Sequence, residues 1–508
     1  METSLTVHDI LQLAPIPDTL HAAFLRVGNG LISRAGYSKN QVLVLMAQLL
    51  QQPKQYAHTK NKGTNLAQAI YALNKQGIAV PLSPAGAALL PPEPAPFVLN
   101  ARGNQPEADF ALRETPLPYA IFGRDQIEAG ALQQMETAAS LPIAVAGALM
   151  PDAHQGYGLP IGGVLATDPN TIIPYAVGVD IACRMCLSVF DLPPAVLDRD
   201  GSLLTKALLD NTTFGIGGET RHKFDSSIID RDEWHATGPI RALKEKAYRQ
   251  LGSSGTGNHF VEWGILAVDQ PDDILRLPAG SYLALLSHSG SRGFGASIAN
   301  YYSKLAMQKT RLPKQAAHLA WLDMDTEEGQ GYWIAMNLAG DYASANHHEI
   351  HNKIARQLSQ QPLARIENHH NFAWQEQLAD GRSVMVHRKG ATPAGPGVLG
   401  IIPGSMTQPG FLVRGLGQSD SLNSASHGAG RLMSRTRAFG TVTPQQLGQA
   451  LASAQVQLIG GDLDEAPMVY KNIETVLDAQ RELVQVLARF SPRIVRMADA
   501  NRREARED

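Results

Sequence analysis

Apolar residues recur at helical spacing through the first hundred residues of the chain. In the stretch SKNQVLVLMAQLLQQ, Ser38 is placed to cap a helix whose Val and Leu residues repeat every three or four positions. In GTNLAQAIYALNKQG, the residues Leu66, Ile70 and Leu73 share one helical face. The pattern therefore predicts a small helical unit over residues 1–100.

A different pattern begins near Pro116. Short apolar runs such as IAVAGALM, SYLALLSH and SVMVHR alternate with glycine-rich turns, and these runs are predicted strands. The segments YWIAMNLAGDYASANHHEIHNKIARQL and IETVLDAQRELVQVLARF are predicted long helices. Because the strands and helices are mixed without a regular βαβ alternation, the pattern favours an α+β fold.

Composition suggests where the two regions are joined. The stretch SPAGAALLPPEPAPFVLNARGNQPEADF is rich in proline and alanine, which is typical of a stiff linker. The predicted organisation is a helical N-terminal extension over residues 1–100, a Pro/Ala-rich linker over 101–115, a catalytic domain over 116–498 and a charged tail over 499–508.

Composition and charge narrow the class of protein. A chain of 508 residues with 44% hydrophobic and 18% charged residues is typical of a soluble globular enzyme. A net charge of −3 gives no overall attraction to nucleic acid, so RNA binding would need a local basic patch. Two cysteines three residues apart indicate metal or redox chemistry in a reducing compartment. Without a leader-like start or a long apolar run, we expect a cytoplasmic protein with no membrane contact.

Five short stretches place polar residues next to glycine at the ends of apolar runs. Asp180 and Cys183 are three residues apart, so one turn can direct both at the same point. His259, His288 and His370 could each add an imidazole. Such a set suits a divalent transition metal, and it has enough ligands for two ions that share the thiolate. Five further side chains are interpreted as structural, namely Cys186, His154, His369, His347 and His348.

Two glycine-containing loops of the form S-H-x-x-x-R suit a phosphate group. The loops SHSGSRGFG and SHGAGR offer several backbone N–H groups with little side-chain obstruction, and His427 stands at the entrance of the second loop. The candidate cationic partners of phosphate and RNA are Arg292, Lys389, Arg431 and Arg435.

A series of short stretches resembles the RtcB family of RNA-splicing ligases, in the family's order. They are LMPDAHQGYGLPIGGVLAT, VGVDIACRM, GTGNHFVEWG, SHSGSRGFG, HHNF, VHRKGA, GIIPGSM, VRGLG, SHGAGRLMSRTRA and DEAPMVYKNI. The resemblance extends from about Pro116 to Ala498 and leaves the first 115 residues uncovered. It implies an RtcB-like α+β fold of mixed sheets and helices around a deep metal and nucleotide pocket.

The resemblance implies an RNA ligase that depends on GTP and Mn²⁺ and acts in tRNA splicing or RNA repair. Cys183 would bridge two Mn²⁺ ions. Asp180 and His259 would bind one ion, and His288 and His370 would complete the other. Ligand softness alone suggests zinc, but we follow the family because manganese accepts the extra oxygen ligands that phosphates bring.

The implied nucleophile is His427, which would attack the α-phosphate of GTP and become guanylylated. GMP would then pass to an RNA 3′-phosphate, giving an RNA-ppG end that a 5′-hydroxyl RNA end attacks. The implied partners are RNAs with 3′-phosphate or 2′,3′-cyclic-phosphate ends and 5′-hydroxyl ends, and an archease-type activator, which serves some relatives. The implied guanosine pocket comprises Asn258, Phe260, Glu262, Asn371, Pro403, Gly404, Ser405 and Met406, with Gly428, Ala429 and Gly430 around the phosphates.

The chain departs from the family pattern at three places. Arg184 replaces the glycine of the DI-x-C-G motif and adds a cation next to the metal ligands. Met497 and Ala498 stand where family members commonly have a Lys-Gly pair, and Arg496 is a candidate substitute for the lysine. Gly410 stands where a serine of the nucleotide pocket is common. The guanine side of the pocket is therefore the divergent part.

Two alternatives to the ligase hypothesis belong to other functional classes. A metal-dependent phosphohydrolase or cyclic phosphodiesterase would open or trim RNA ends without a nucleotide and without joining them. A non-catalytic RNA-binding protein on the ligase fold would bind no Mn²⁺. The intact set of Asp180, Cys183 and His427 favours the ligase.

Overall fold

The structure is a computed structural model that describes residues 4–35, 37–56, 67, 70–71, 74, 80–90, 110–220, 226–272 and 275–499. The chain divides into two compact units, Met1–Ala108 and Asp109–Asp508. Across the described ranges, no helix has both the length and the apolar character needed to cross a membrane.

The first unit is helical in its described part. Its helices are α1 (Val7–Leu13), α2 (Asp18–Ala35), α3 (Lys39–Gln51), α4 (Pro53–Tyr56) and α5 (Pro84–Ala87). The Ser38 hydroxyl accepts the Gln41 N–H at the start of α3, and the Gln41 side chain accepts the Ser38 N–H, so the predicted cap is confirmed. Ile70 is buried as expected, whereas Leu66 and Leu73 lie outside the described residues.

Part of the Pro/Ala-rich stretch belongs to this first unit. Ser83 caps α5, and Gly86 lies so close to the backbone of Leu13 that a side chain would not fit there. Residues 91–109, which include positions 101–109 of the predicted linker, are outside the described residues. In the second unit, Arg113 donates to the carbonyls of Pro142 and Ala144, so this unit begins before Pro116.

The second unit combines helices with several sheets. Its helices are α6 (Ala129–Ala139), α7 (Pro174–Val177), α8 (Val196–Arg199), α9 (Gly201–Asn211), α10 (Gly238–Gln250), α11 (Arg292–Lys309), α12 (Glu327–Gln357), α13 (Arg435–Thr441), α14 (Pro444–Ala454) and α15 (Ile473–Asp478). Short 3₁₀ turns cover Arg124–Gln126, Ser227–Asp230, Asp232–His235, Lys314–Leu319, Ser419–Ser421, Leu463–Glu465 and Pro467–Val469.

The strands are distributed over two large sheets and two short pairs. The strands are β1 (Ala120–Ile121), β2 (Ala144–His154), β3 (Ile161–Thr167), β4 (Thr171–Ile172), β5 (Arg184–Phe190), β6 (Phe260–Val268), β7 (Gly280–Ser289), β8 (Leu322–Asp323), β9 (Pro362–His369), β10 (Asn371–Gln377), β11 (Ser383–Lys389), β12 (Ala391–Pro393), β13 (Leu399–Ile402), β14 (Gly410–Gly415), β15 (Ser424–Ser426), β16 (Gln457–Gly461) and β17 (Val484–Asp499). The three apolar runs singled out as strands are β2, β7 and β11, so those predictions are confirmed.

The five-stranded sheet has the order β1-β2-β3-β11-β10. The eight-stranded sheet has the order β13-β14-β17-β6-β7-β5-β9, with β16 pairing with β17. Most neighbouring strands are antiparallel, and the helices do not alternate regularly with the strands. The α+β prediction is therefore confirmed.

The long helix α12 confirms the prediction made from YWIAMNLAGDYASANHHEIHNKIARQL. Its first turn is capped by the Thr326 hydroxyl, which accepts the Gly329 N–H. Ile350 and Ile354 of α12 are fully buried in one apolar cluster with Phe190 and Trp263, which belong to β5 and β6. This packing fixes α12 against one face of the eight-stranded sheet.

The second predicted long helix, IETVLDAQRELVQVLARF, is wrong. Only its start is helical, as α15, and its end belongs to β17. There Val484, Ala488 and Phe490 are buried, whereas Gln485 and Arg489 are exposed. β17 pairs with β14 and β6 on its two sides, and this pairing outweighs the helical preference of Leu, Gln and Glu.

Candidate active site

The predicted metal ligands come from the ends of neighbouring strands in the eight-stranded sheet. Cys183 directly precedes β5, His259 directly precedes β6, and His288 is close to the end of β7. His370 directly follows β9. Because β6, β7, β5 and β9 are consecutive neighbours in this sheet, their ends bring the four side chains together.

Five side chains form one continuous cluster, which we call the front cluster. The Cys183 Sγ lies 3.0 Å from the Nε2 of His288 and 3.5 Å from the Nε2 of His259. The His259 Nε2 lies 2.9 Å from the Oδ2 of Asp180, and the His288 Nε2 lies 3.4 Å from the Nε2 of His370. The structure therefore brings together all five residues that the sequence offered as metal ligands.

The electrostatics of the front cluster suit a cation. The His288 Nδ1 lies 3.0 Å from the carbonyl of Asn258 and donates to it, which leaves a lone pair on the Nε2 that faces the cluster. Burial lowers the pKa of His288 to about 3 and the pKa of His370 well below its usual value. Burial and the charge of Asp180 raise the pKa of the Cys183 thiol.

The residues of the front cluster fit a divalent transition metal. Soft and borderline donors converge there, and the buried Nδ1 of His370 has no hydrogen-bond partner among the described residues. A cation would stabilise the Cys183 thiolate that burial alone disfavours. Asp180, Cys183 and the three histidines are the residues that would hold the metal.

His427 lies beside the front cluster, and its orientation is fixed by Asp152. The ring centroids of His427 and His370 are 4.8 Å apart. The His427 Nδ1 is 2.7 Å from the Oδ2 of Asp152, which also accepts the backbone N–H of His427 at 3.1 Å. In the neutral imidazole, donation from Nδ1 leaves the lone pair on Nε2.

Asp152 is a functional residue that the sequence analysis did not single out. Burial raises its pKa, but the charge and hydrogen bond of His427 and the charge of Lys471 outweigh burial, so the net pKa is lowered. The Lys471 Nζ donates to the carbonyls of Pro151 and Ala153 at 2.9 Å and so fixes the strand on both sides of Asp152. The available signal was a carboxylate within the apolar run of β2.

The cluster opens into a cavity of about 1020 Å³ between the two large sheets. Asp180, His288 and His427 line it. Ten of the eleven residues predicted for the nucleotide also line it, namely Asn258, Phe260, Glu262, Pro403, Gly404, Ser405, Met406, Gly428, Ala429 and Gly430. The Ser405 Oγ is buried and has no hydrogen-bond partner among the described residues.

Two of the predicted contacts have other roles in the structure. The Asn371 side chain donates to the carbonyl of Asp180 at 3.1 Å and accepts the N–H of Gly390 at 2.8 Å, so it joins two backbone segments. The Arg292 guanidinium donates to the Ser253 hydroxyl and to the Gly215 carbonyl. Neither Asn371 nor Arg292 is among the described residues that line the cavity.

The other predicted cations, Arg431, Arg435 and Lys389, do line the cavity. Arg431 and Arg435 both contact Glu465, and Arg435 also pairs with Asp464 at 2.6 Å. Helix α13 begins only at Arg435, so the two arginines converge on an acidic pair and not along one helical face. Burial lowers the pKa of Lys389 to about 7.

Two of the residues that depart from the family pattern, Arg184 and Arg496, have roles that their sequence positions do not suggest. The Arg184 guanidinium pairs with Glu367 at 3.1 Å and donates to the His369 Nδ1 at 3.0 Å, so its charge is directed to these two residues. The Arg496 guanidinium lies 5.7 Å from the ring centre of Phe214. Met497 and Gly410 line the cavity, whereas Arg496 is not among the described lining residues.

A second group of cysteine and histidine side chains is formed by Cys186, His347 and His351, which we call the rear cluster. Their ligand atoms all lie within 4.8 Å of one another, and all three residues are buried. Cys186 pairs with Ser287 across β5 and β7, while the front cluster uses Cys183 and His288 of the same region. Side chains of adjacent strand residues point to opposite faces, so the rear cluster lies behind the front one, against α12.

Every ring nitrogen of the rear histidines has a hydrogen-bond partner. The Ser289 carbonyl can only accept, so the His347 Nε2 donates to it at 3.2 Å. The His347 Nδ1 must then accept from the Ser287 hydroxyl at 2.6 Å. The Ser287 oxygen accepts from the His351 Nε2 at 2.7 Å, and the His351 Nδ1 accepts from the Ser188 hydroxyl at 2.8 Å. No lone pair remains on these rings for a metal.

Comparisons with known proteins match this chain to one family. The family model described as tRNA-splicing ligase RtcB matches residues 134–238 and 231–498. An RNA-splicing ligase RtcB of Escherichia coli K12 is 35% identical over 391 residues, which cover 71% of this chain and 92% of the relative. A tRNA-splicing ligase RtcB of Thermococcus kodakarensis is 29% identical over 467 residues, covering 77% of this chain and 96% of the relative.

Proposed function

The chain belongs to the RtcB family, and on that premise we propose that it is an RNA ligase. It joins RNA ends that carry a 2′,3′-cyclic phosphate or a 3′-phosphate to 5′-hydroxyl ends, in tRNA splicing or RNA repair. The activity is assigned to residues 116–498, with GTP and two Mn²⁺ ions as cofactors. A cytoplasmic location and an archease-type activator stay predictions.

The observation that carries the proposal is the environment of His427. Its Nδ1 is held 2.7 Å from the Asp152 carboxylate, and its ring lies 4.8 Å from the ring of His370 in the front cluster. A histidine with one nitrogen fixed and the other carrying a lone pair is suited to nucleophilic attack. The same Asp–His pair would stabilise the positive charge that the ring gains when Nε2 forms a bond.

The proposed reaction transfers one nucleotidyl group twice. The His427 Nε2 forms a bond to the α-phosphorus of GTP as the bond to pyrophosphate breaks. A 2′,3′-cyclic phosphate end first takes up water, which breaks the P–O2′ bond and gives a 3′-phosphate and a 2′-hydroxyl. An oxygen of the RNA 3′-phosphate then takes the GMP, which breaks the N–P bond and returns the electron pair to Nε2. Finally the 5′-hydroxyl oxygen of the second RNA attacks the activated 3′-phosphate, its proton is lost, and GMP leaves.

The front cluster supplies the metal-binding part of the proposal. Manganese, when bound, would neutralise phosphate oxygens that otherwise repel the incoming nucleophile. The chain's own contribution is to hold the donors on strand ends, with the tautomer of His288 fixed by the Asn258 carbonyl. Cys183 is the donor best placed to contact two ions, because its Sγ lies near both His259 and His288.

The part of the cavity wall that the eight-stranded sheet forms supports the guanosine assignment. Glu262 lines the cavity, and burial raises its pKa well above the usual value. The two N–H groups on the Watson–Crick edge of guanine are donors that would stabilise the ionised form of such a buried carboxyl group. Phe260 and Met497 face each other on paired strands at the same wall and offer apolar contact to the base.

An end-joining assay tests the proposal. Wild-type protein with GTP and Mn²⁺ is expected to join an RNA with a 2′,3′-cyclic phosphate to one with a 5′-hydroxyl. The His427→Ala variant is expected to give no joined product, because the nucleophile is lost. The variant His235→Ala, at an exposed histidine outside the cavity lining, is the matched control.

The same assay separates the ligase from its alternative. Opening of the cyclic phosphate without GTP, with no joined RNA in any condition, would contradict the ligase proposal and indicate a phosphohydrolase.

A further inference from the structure

An exposed tyrosine lies on the wall of the cavity that the proposed chemistry does not use. Tyr157 belongs to the loop between β2 and β3, its side chain is 60% exposed, and it lines the cavity. A large aromatic side chain left in water loses the free energy of burial. Its position on the cavity lining makes the ring available to a ligand in the cavity.

The loop that carries Tyr157 is held in place by hydrogen bonds to three side chains. The Gly156 N–H donates to the Gln134 Oε1 at 3.0 Å, and the Gln134 Nε2 donates to the Gly156 carbonyl. The Gln155 N–H donates to the Glu128 Oε1 at 2.7 Å. The buried Lys389 Nζ donates to the carbonyl of Tyr157 itself. The exposed ring thus stands on a fixed backbone, as binding residues on ordered loops do.

Two more aromatic rings form a row with Tyr157, in which His318 is the middle ring. The His318 ring packs edge-on against Tyr157, with centroids 6.0 Å apart, and against Tyr175, with centroids 4.9 Å apart. Gly158 has a φ of +70°, and a Cβ there would lie 3.1 Å from the His318 carbonyl oxygen. Glycine therefore allows the loop to approach His318 closely. All three rings line the cavity, and we call them the aromatic rim.

The aromatic rim and the predicted guanosine pocket come from different parts of the fold. Tyr157 follows β2 of the five-stranded sheet, whereas Phe260 and Glu262 belong to β6 of the eight-stranded sheet. The cavity volume of about 1020 Å³ is at the upper end of the range of about 300–1,000 Å³ that one drug-sized ligand needs. The aromatic rim lies on a part of the cavity lining that the predicted guanosine pocket does not use.

We propose that the aromatic rim is a stacking subsite for the nucleobase at an RNA end, with Tyr157 as the main contact. Exposed aromatic rings on a fixed surface bind single-stranded nucleic acid because every base has a π-face. The nearby Tyr157 carbonyl is already bonded to Lys389, so the ring face, and not the backbone, is the part offered to the base. The inference rests on the proposed ligase function, since it assigns a place to the RNA within the same cavity.

The test is the Tyr157→Ala variant in the joining assay. We expect the KM for RNA to rise about 10-fold or more, because stacking on an aromatic side chain is worth about 1–3 kcal/mol per base. Tyr157→Trp is expected to restore the wild-type KM, because it restores a stacking ring. Tyr301→Ala is the matched control, since Tyr301 is 47% exposed but is not among the described residues that line the cavity.

RNA substrates that lack one terminal base make the test specific to stacking. If the base at the RNA end that stacks on Tyr157 is removed, wild type and Tyr157→Ala should show the same raised KM. Removing the base from the 3′ end in one substrate and from the 5′ end in another identifies which RNA strand contacts the aromatic rim. An unchanged KM for Tyr157→Ala with intact RNA would overturn the inference.

Guanylylation by GTP without RNA separates the two levels of the proposal. It needs GTP, Mn²⁺ and His427 but no RNA, so its failure in the wild type would contradict the ligase function and not the stacking subsite. The stacking inference has its own readout in that case, because fluorescence of Tyr157→Trp should be quenched by a 3′-phosphorylated oligoribonucleotide. Absence of quenching would overturn the subsite.

Discussion

The front and rear clusters use the same kinds of residue and differ in how their nitrogen atoms are paired. Both contain a buried cysteine from the region of β5 and at least two buried histidines whose ligand atoms lie close together. In the rear cluster each ring nitrogen has a hydrogen-bond partner, and the direction of every bond follows from the Ser289 carbonyl. In the front cluster, the His288 Nε2 keeps a lone pair that faces the Cys183 sulfur, and the Nδ1 atoms of His259 and His370 have no hydrogen-bond partner among the described residues.

The difference shows that proximity of ligand atoms is not enough to identify a metal site. A neutral imidazole has one donor and one acceptor nitrogen, and a cation needs a lone pair that no hydrogen-bond donor occupies. The carbonyl of Asn258 accepts from the Nδ1 of His288, so the lone pair on Nε2 faces the Cys183 sulfur, whereas the serines of the rear cluster engage both nitrogens of each ring. Hydrogen bonding therefore decides which cluster can carry chemistry.

The largest expected effect is on metal content. After loading with Mn²⁺ and removal of free ion, Cys183→Ala is expected to lose the bound metal, because the thiolate contacts the groups on both sides of the front cluster. Cys186→Ala, three residues along the chain, is expected to keep the wild-type stoichiometry. Elemental analysis by mass spectrometry measures both, and equal loss in the two variants would contradict the distinction between the clusters.

A smaller effect is expected in the pH dependence of stability. Burial lowers the pKa of His347 to about 3 in the folded state, from about 6.5 in the unfolded chain. The unfolded chain therefore binds more protons below pH 6.5, and the stabilisation is complete above that pH and lost as the pH falls toward 3. At pH 5 the loss is about 2 kcal/mol, or about 30-fold in the unfolding equilibrium.

Urea unfolding at pH 7 and pH 5 measures this loss. All five tryptophans lie in the second unit, so their fluorescence reports on it alone. The His347→Gln variant should lose less stability between the two pH values than wild type, by about 2 kcal/mol. The exposed His235→Gln serves as control. The same pH dependence in wild type and His347→Gln would show that the rear cluster does not hold His347 neutral.

Much of the fold could be predicted from local pattern. The strands β2, β7 and β11, the cap at Ser38 and the long helix α12 follow from hydrophobic period and capping residues. The segment that forms α15 and the start of β17 could not be predicted in this way. Its strand conformation depends on pairing with β6 and β14, which are far away in sequence. Non-local pairing of this kind leaves no signal in a short window.

The sequence indicates which residue types form the candidate site, but it does not show which of these side chains contact one another. The five candidate metal ligands are recognisable beside glycine turns, and the structure brings them together. Asp152 was missed because its partner His427 is 275 residues away and only the fold joins them. Arg292 and Asn371 were expected at the ligand, yet their side chains are used to hold the backbone.

The most direct test of the central claim is the intact mass of the protein after incubation with GTP and Mn²⁺. The account predicts one added guanylyl group on wild type and none on His427→Ala. On Asp152→Asn the label should form about 10²–10⁴-fold more slowly, because the orientation of the His427 ring is lost. Peptide mapping should place the group on His427. A wild-type protein that stays at its unmodified mass, or a label that persists in His427→Ala, would contradict the claim.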